Sequence, residues 1–216
     1  MNNGISTLGE FFSSLKGFRT LVKVDNPVIP VMLTLNHIIP KFGRDEIILV
    51  FLTRKDRRLF KIIREQFGIE CDIEIREIFV HKDRDVVPSK IVLEKLRRLI
   101  NEKGDKIMVI FGFPTFVFFY GQEGVMNLSI LFDLIPDDVT LINFCLIDIA
   151  DQATTTYQKS LYDVLVSIKR VEEHPDRYVF EVEHSALQQL TNKIGYMITE
   201  GFLIKEFTIK SREEYI

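Results

Sequence analysis

The sequence predicts an α/β domain: a mostly parallel sheet flanked by helices, with antiparallel hairpins at its C-terminal end. Three observations carry this expectation. Strand-like and helix-like segments alternate through the first two thirds of the chain, which is the order of parallel strands joined by right-handed crossovers. Two segments, EIILVFL at 46–52 and KIMVIF at 106–111, are almost continuously apolar, as strands covered on both faces are. Near the end, paired strand-like runs flank the short turn candidates HisProAsp at 174–176 and GluGly at 200–201.

The elements follow in order. Residues 8–18 place Leu8, Phe11, Phe12 and Leu15 at helical spacing, with Gly17 near the end. Residues 20–24 (TLVKV) are a short β-branched run, 25–30 a tight loop, and 31–39 an apolar helix; Pro40 and Gly43 then mark a turn. The strand at 46–52 leads to an amphipathic helix at 55–67, whose core face carries Leu59, Phe60, Ile62, Ile63 and Phe67 and which Gly68 stops. Residues 72–80 alternate as a third strand. Pro88 and Ser89 open a helix to about Asn101. The strand at 106–111, a helix at 124–134 and a strand at 139–147 complete the parallel portion, and Asp137 and Asp138 fall in a turn. The hairpins are expected at 162–183 and 196–210, separated by a polar stretch at 185–194.

The 216 residues are read as one domain, 1–216, with no repeat and no low-complexity linker. A composition of 46% hydrophobic and 27% charged residues is globular, and a net charge of −3 argues against bulk attraction to nucleic acid or membrane. The first residues have no basic, apolar leader, and the most apolar stretch, 107–120, is too short to span a bilayer. Cys71 and Cys145 form no metal or redox spacing; they are read as reduced thiols of a cytoplasmic protein.

The strand–loop–helix at 20–39 is the frame in which P-loop proteins hold a phosphate. The Gly, Gly, Lys and Ser/Thr of that pattern fall on Asp25, Pro30, Val31 and Met32. Pro30 removes an amide donor, Val31 has no charge, Met32 has no hydroxyl for magnesium, and Asp25 sets a carboxylate beside a polyanion. An ordinary α/β entry that never held a phosphate fits this stretch as well.

The order and spacing of several segments resemble the RecA/KaiC-like ATPase core over roughly residues 5–210. RTLVKVDNPVIPVMLTLNHI is similar to its first strand, P-loop and helix, and EIILVFLTRKDRRLFKIIREQFGIE to its second strand and helix. KIMVIFGFPTF resembles the Walker B strand and turn, DVLVSIKRVEEHPDRYVFEVEHS the late hairpin, and YMITEGFLI the closing motif. Within that superfamily the chain resembles a group of hyperthermophilic archaeal proteins; abundant Ile, Lys, Arg and Glu with few Gln agree with such a source. The resemblance implies a RecA-like fold and assembly with itself or with a RecA-like paralogue. The catalytic glutamate falls on Leu52 or Thr53 and the Walker B aspartate on Phe111 or Gly112, so phosphoryl transfer is expected to be lost. The chain is therefore expected to be no enzyme, to hold no cofactor or metal, and to act as a protein-interaction or regulatory module. Two alternatives stay open: a nucleotide binder without hydrolysis, and an enzyme of unrelated chemistry using Asp148, Asp151 or His81 at the strand edge.

Other candidates are less specific. His37 is expected in the core, His81 in the charged run HKDRD, His174 in a hairpin turn, and His184 at a solvated strand end. The polar stretch DQATTTY at 151–157 is either a surface connection or a binding loop. Arg54, Lys55, Arg57, Arg58, Lys61 and Arg64 form a basic stripe on one helix, read as a solvated face rather than a nucleic-acid site. Six aromatics stand between Phe111 and Tyr120. With Gly112 and Pro114 breaking the strand and Gly121 and Gly124 following, Phe116, Phe118, Phe119 and Tyr120 are expected to supply a self-association surface.

Overall fold

The computed structural model describes residues 7–69, 72–82, 85–103, 105–147, 160–201 and 203–211. Nine strands form one sheet in the order β11-β10-β9-β8-β1-β7-β6-β2-β3. They are β1 (Arg19–Val24), β2 (Ile47–Phe51), β3 (Glu74–Glu77), β6 (Ile107–Phe111), β7 (Leu141–Leu146), β8 (Val164–Val171), β9 (His174–Ser185), β10 (Lys193–Glu200) and β11 (Leu203–Ser211). From β8 to β3 every pairing is parallel; from β8 to β11 every pairing is antiparallel. A separate two-stranded ribbon joins β4 (His81–Lys82) to β5 (Asp85–Val86).

The central strands alternate between two cores. Ile47, Leu49 and Phe51 of β2 join one, and Ile48 and Val50 the other; Val109 and Phe111 of β6 likewise oppose Met108 and Ile110. That division explains the continuous apolar runs, because both faces of the sheet are covered. One face carries α1 (Leu8–Ser14), α2 (Ile29–Leu33), α3 (Ile39–Phe42) and α4 (Arg54–Gln66); the other carries α5 (Ser89–Lys103) and α6 (Phe113–Asp133). Helix α1 starts on a reciprocal capping box: Glu10 N donates to Thr7 Oγ1 at 3.2 Å, and Thr7 N donates to Glu10 Oε2 at 3.0 Å.

Several sequence expectations are corrected. The helix after β1 runs past Pro40 to Phe42 instead of turning there, through a π-helical turn at Thr34–Ile38. Pro40 has no N–H to give the carbonyl four residues back and its ring crowds that carbonyl; the chain widens, and Ile39 N bonds Thr34 O. The regular register of the third strand covers Glu74–Glu77, and Ile78 N and Val80 N still donate to Phe51 O at 3.0 Å and Leu52 O at 2.9 Å before the β4–β5 ribbon. Residues 174–176 lie within β9, and the hairpin turns at Glu172 and Glu173. The largest correction is α6. It begins at Phe113 with Pro114 in its first turn, so the aromatic stretch is helical, and the chain kinks at Gly121 (φ 51°, ψ −139°).

Candidate functional site

The parallel strands end together at one sheet edge, where open α/β sheets bind ligands. Val24 of β1, Phe111 of β6, and Phe144, Cys145 and Leu146 of β7 line a cleft of about 320 Å³ there. Pro27, Pro30 and Val31 form one side, the start of α4 (Thr53, Lys55, Asp56, Leu59) another, and His81 and Phe119 lie on its wall as well. The walls are chiefly apolar.

The β1–α2 loop uses its amides internally. Asp25 N donates to Ile168 O at 3.3 Å, Val28 N to Asn26 Oδ1 at 2.9 Å, Ile29 N to Asn26 O at 3.1 Å, and Met32 N to Val28 O at 3.1 Å. Pro27 and Pro30 have no N–H to offer. The Asp25 carboxylate accepts from Arg170 N, and Asn26 Nδ2 donates to Tyr178 Oη at 3.4 Å. Val31 and Met32 are buried in the core. These four amides point at protein acceptors, so the loop does not wrap an anion in the way a glycine-rich cradle does.

The polar focus of the cleft is Asp56, which sequence reasoning missed. Thr53 caps α4: its Oγ1 accepts from Asp56 N at 3.0 Å and its hydroxyl donates to Asp56 Oδ2. Ser or Thr followed three residues later by an acid, directly after an apolar strand, is a helix-start signal that the sequence did carry. Burial pushes the Asp56 carboxyl above its usual value, partly offset by the Thr53 hydrogen bond and by the charge of Lys55. Gly112 makes this packing possible. At φ +86° it turns the chain from β6 into α6, and a Cβ there would lie 2.7 Å from Asp56 Oδ2 and 3.0 Å from Thr53 Cγ2.

His81 lies against Phe119, with ring centres 6.1 Å apart, and its buried Nδ1 has no hydrogen-bond partner. Burial raises the Cys145 thiol to about 12, so it is neutral at physiological pH. Among the described residues no group of three or more His, Cys, Asp or Glu side chains could hold a metal ion.

The aromatic segment caps this edge. Phe116 is fully buried against Tyr120, whose hydroxyl donates to Val80 O at 3.2 Å and also bonds Val87 O. Phe116 is therefore not a surface anchor, and Tyr120 is tied to the chain beside the ribbon; Phe119 stays 41% exposed. The side chain of Phe118 lies outside the described residues, as do Cys71, Asp148 and the stretch 151–157. His37 is half-buried and its pKa is lowered by burial; His174 and His184 sit on β9. The basic stripe is partly satisfied: Arg57 pairs with Glu77 at 3.0 Å, Lys61 with Glu65 at 3.7 Å, and Arg54 lies 5.8 Å from the Phe79 ring centre.

Similarity to solved structures agrees with this architecture. A KaiC-like protein from the hyperthermophilic archaeon Pyrococcus horikoshii superposes with a TM-score of 0.60 at 12% identity, covering 90% of each chain. A further Pyrococcus horikoshii protein gives 0.58 at 10% identity, over 84% of this chain and 94% of that one. The flagellar accessory protein FlaH from Methanocaldococcus jannaschii gives 0.53 at 9% identity, over 86% of each. The chain thus has a RecA/KaiC-like fold, as its segments led one to expect. No protein-family model and no curated protein matches the sequence. No helix among the described residues is long and apolar enough to cross a membrane.

Proposed function

We propose that this chain is a RecA/KaiC-like domain that neither holds nor hydrolyses ATP and works by binding, as a protein-interaction or regulatory module. The observation that carries the reading is the β1–α2 loop, in which the amides of Asp25, Val28, Ile29 and Met32 face protein acceptors and the two prolines supply none. Phosphoryl transfer needs a cradle, a cation on the phosphates and a magnesium site; here the corresponding positions are Asp25, Pro30, Val31 and Met32. The acid that lines the cleft, Asp56, adds like charge where a triphosphate would lie.

Self-association belongs to the same reading, through a different surface from the aromatic segment. Met126 and Ile130 of α6 and Leu134, the residue that caps its C-terminal end, repeat every four residues and are 58–59% exposed, forming one uncharged stripe. A second copy placing the same stripe against it forms a symmetric contact.

The decisive experiment is thermal unfolding with ATP, ADP and magnesium, beside an ATPase assay. A ligand at a hundred times its Kd stabilises by about 2.7 kcal/mol, a shift of roughly 5–10 °C for a chain of this size. No shift and no turnover are expected. A saturable shift with ATP overturns the reading.

A further inference from the structure

The same carboxylate that disfavours a triphosphate makes the cleft selective for the opposite charge. Asp56 Oδ2 is occupied by the Thr53 hydroxyl and closed off by Gly112. Oδ1 has no hydrogen-bond or ion-pair partner among the described residues. Leu59, Phe111, Phe144 and Val31 line the same cleft, and their apolar surface lowers the local dielectric at this half-buried carboxylate. None of the other titratable groups on the wall forms a hydrogen bond or ion pair with Oδ1, although the charge of Lys55 acts on the carboxylate. Cys145 is a neutral thiol, His81 has a buried Nδ1 without a hydrogen-bond partner among the described residues, and Lys55 is exposed and makes no ion pair with Asp56. A volume of about 320 Å³ is at the small end of ligand sites, enough for one ring-sized apolar body with a short polar head. Phe119, on the wall of the cleft and 41% exposed, offers its ring to such a body.

We infer that the cleft at the C-terminal edge of the parallel strands is a binding site for a small organic cation, a primary amine on an apolar or aromatic body, with Asp56 as counter-ion. The ammonium donates to Asp56 Oδ1, and the body packs on Leu59, Phe111 and Phe119. Attraction to an ammonium offsets the cost of desolvating the carboxylate, the same cost that lifts its pKa. The inference rests on the proposed function, because Pro27, Pro30 and Val31 of the β1–α2 loop line the same cleft.

Three matched probes test it on the full chain at pH 7: phenethylamine, 2-phenylethanol and 3-phenylpropionate. Binding is measured by calorimetry and by backbone amide NMR shifts. The amine is expected to bind at least tenfold more tightly than the alcohol, with shifts at Thr53, Asp56, Gly112 and Phe119, and the acid not to bind. Asp56→Asn, which keeps an acceptor for Thr53, is expected to remove the preference for amine over alcohol while the NMR spectrum stays folded. Should that variant not fold, the wild type decides: amine binding is expected to weaken as pH is lowered from 7 to about 4, where Asp56 takes up a proton, while alcohol binding stays constant, and pH-independent amine binding overturns the inference. Equal binding of amine and alcohol, preference for the acid, amine shifts outside the cleft, or no binding by any probe overturns the inference. ATP in the same titration is a separate readout: its binding overturns the proposed function, and failure of the amine alone overturns only this inference.

Discussion

Replacing Gly112 by alanine tests the junction on which the cleft is built. Two penalties arise there. At φ +86° and ψ 14° an L-residue is in the left-handed region, which costs about 1–2 kcal/mol. The new methyl carbon would also lie 2.7 Å from Asp56 Oδ2, 3.0 Å from Thr53 Cγ2 and 3.3 Å from Leu52 Cβ, so the carboxylate and the Thr53 cap must move. Loss of a helix N-cap costs about 0.5–2 kcal/mol. Together the variant should lose roughly 2–4 kcal/mol, or about 5–15 °C in Tm. Gly68→Ala is the control, because Gly68 also has positive φ (+57°) but nothing within 4 Å of its added Cβ. It should show the conformational penalty alone. Urea unfolding followed by circular dichroism measures both. If the two variants agree within about 0.5 kcal/mol, Gly112 does not hold the Asp56–Thr53 pair in place and the account of the cleft floor is wrong.

Further predictions concern Asp56, the aromatic cap and the α6 stripe. The folded pKa of Asp56 is raised by burial, so the folded state binds its proton more tightly than the unfolded chain does. That contribution to stability is present below the unfolded value, near 3.8, and is lost as pH rises through the folded value. Asp56→Asn should therefore gain stability relative to wild type between about pH 4 and neutrality, and a flat difference across that range would contradict the burial argument. Tyr120→Phe removes the hydroxyl that bonds Val80 O and Val87 O and should cost about 1–2 kcal/mol in urea unfolding; an unchanged midpoint would mean that the cap is held by packing alone. Light scattering at micromolar concentration should report an oligomer for wild type and a monomer for Met126→Glu with Ile130→Glu. A monomeric wild type would leave the exposed stripe of α6 without the role proposed for it.

Much of this architecture was legible in the chain. The unbroken apolar runs of β2 and β6 require cover on both faces, and the alternation of helices and strands permits few other arrangements. That Asp25, Pro30, Val31 and Met32 bring no glycine, lysine or hydroxyl could also be read directly, since residue identity is a fact of the sequence. What needed the tertiary structure was everything decided by contacts between distant segments. Pro114 and Gly112 looked like strand breakers before a loop, yet proline suits a first helical turn and glycine the left-handed residue before it, so the same letters open a helix. Phe116 and Tyr120 looked like unburied aromatics because local spacing cannot say that Phe116 joins the core or that the carbonyls of Val80 and Val87 reach the Tyr120 hydroxyl. Asp56 belongs to an ordinary capping pattern in the sequence; only the approach of Gly112, 56 residues away, makes it the polar floor of an apolar cleft. Period and propensity act along the chain and are written in it, whereas burial of a charge depends on which other segments crowd around it.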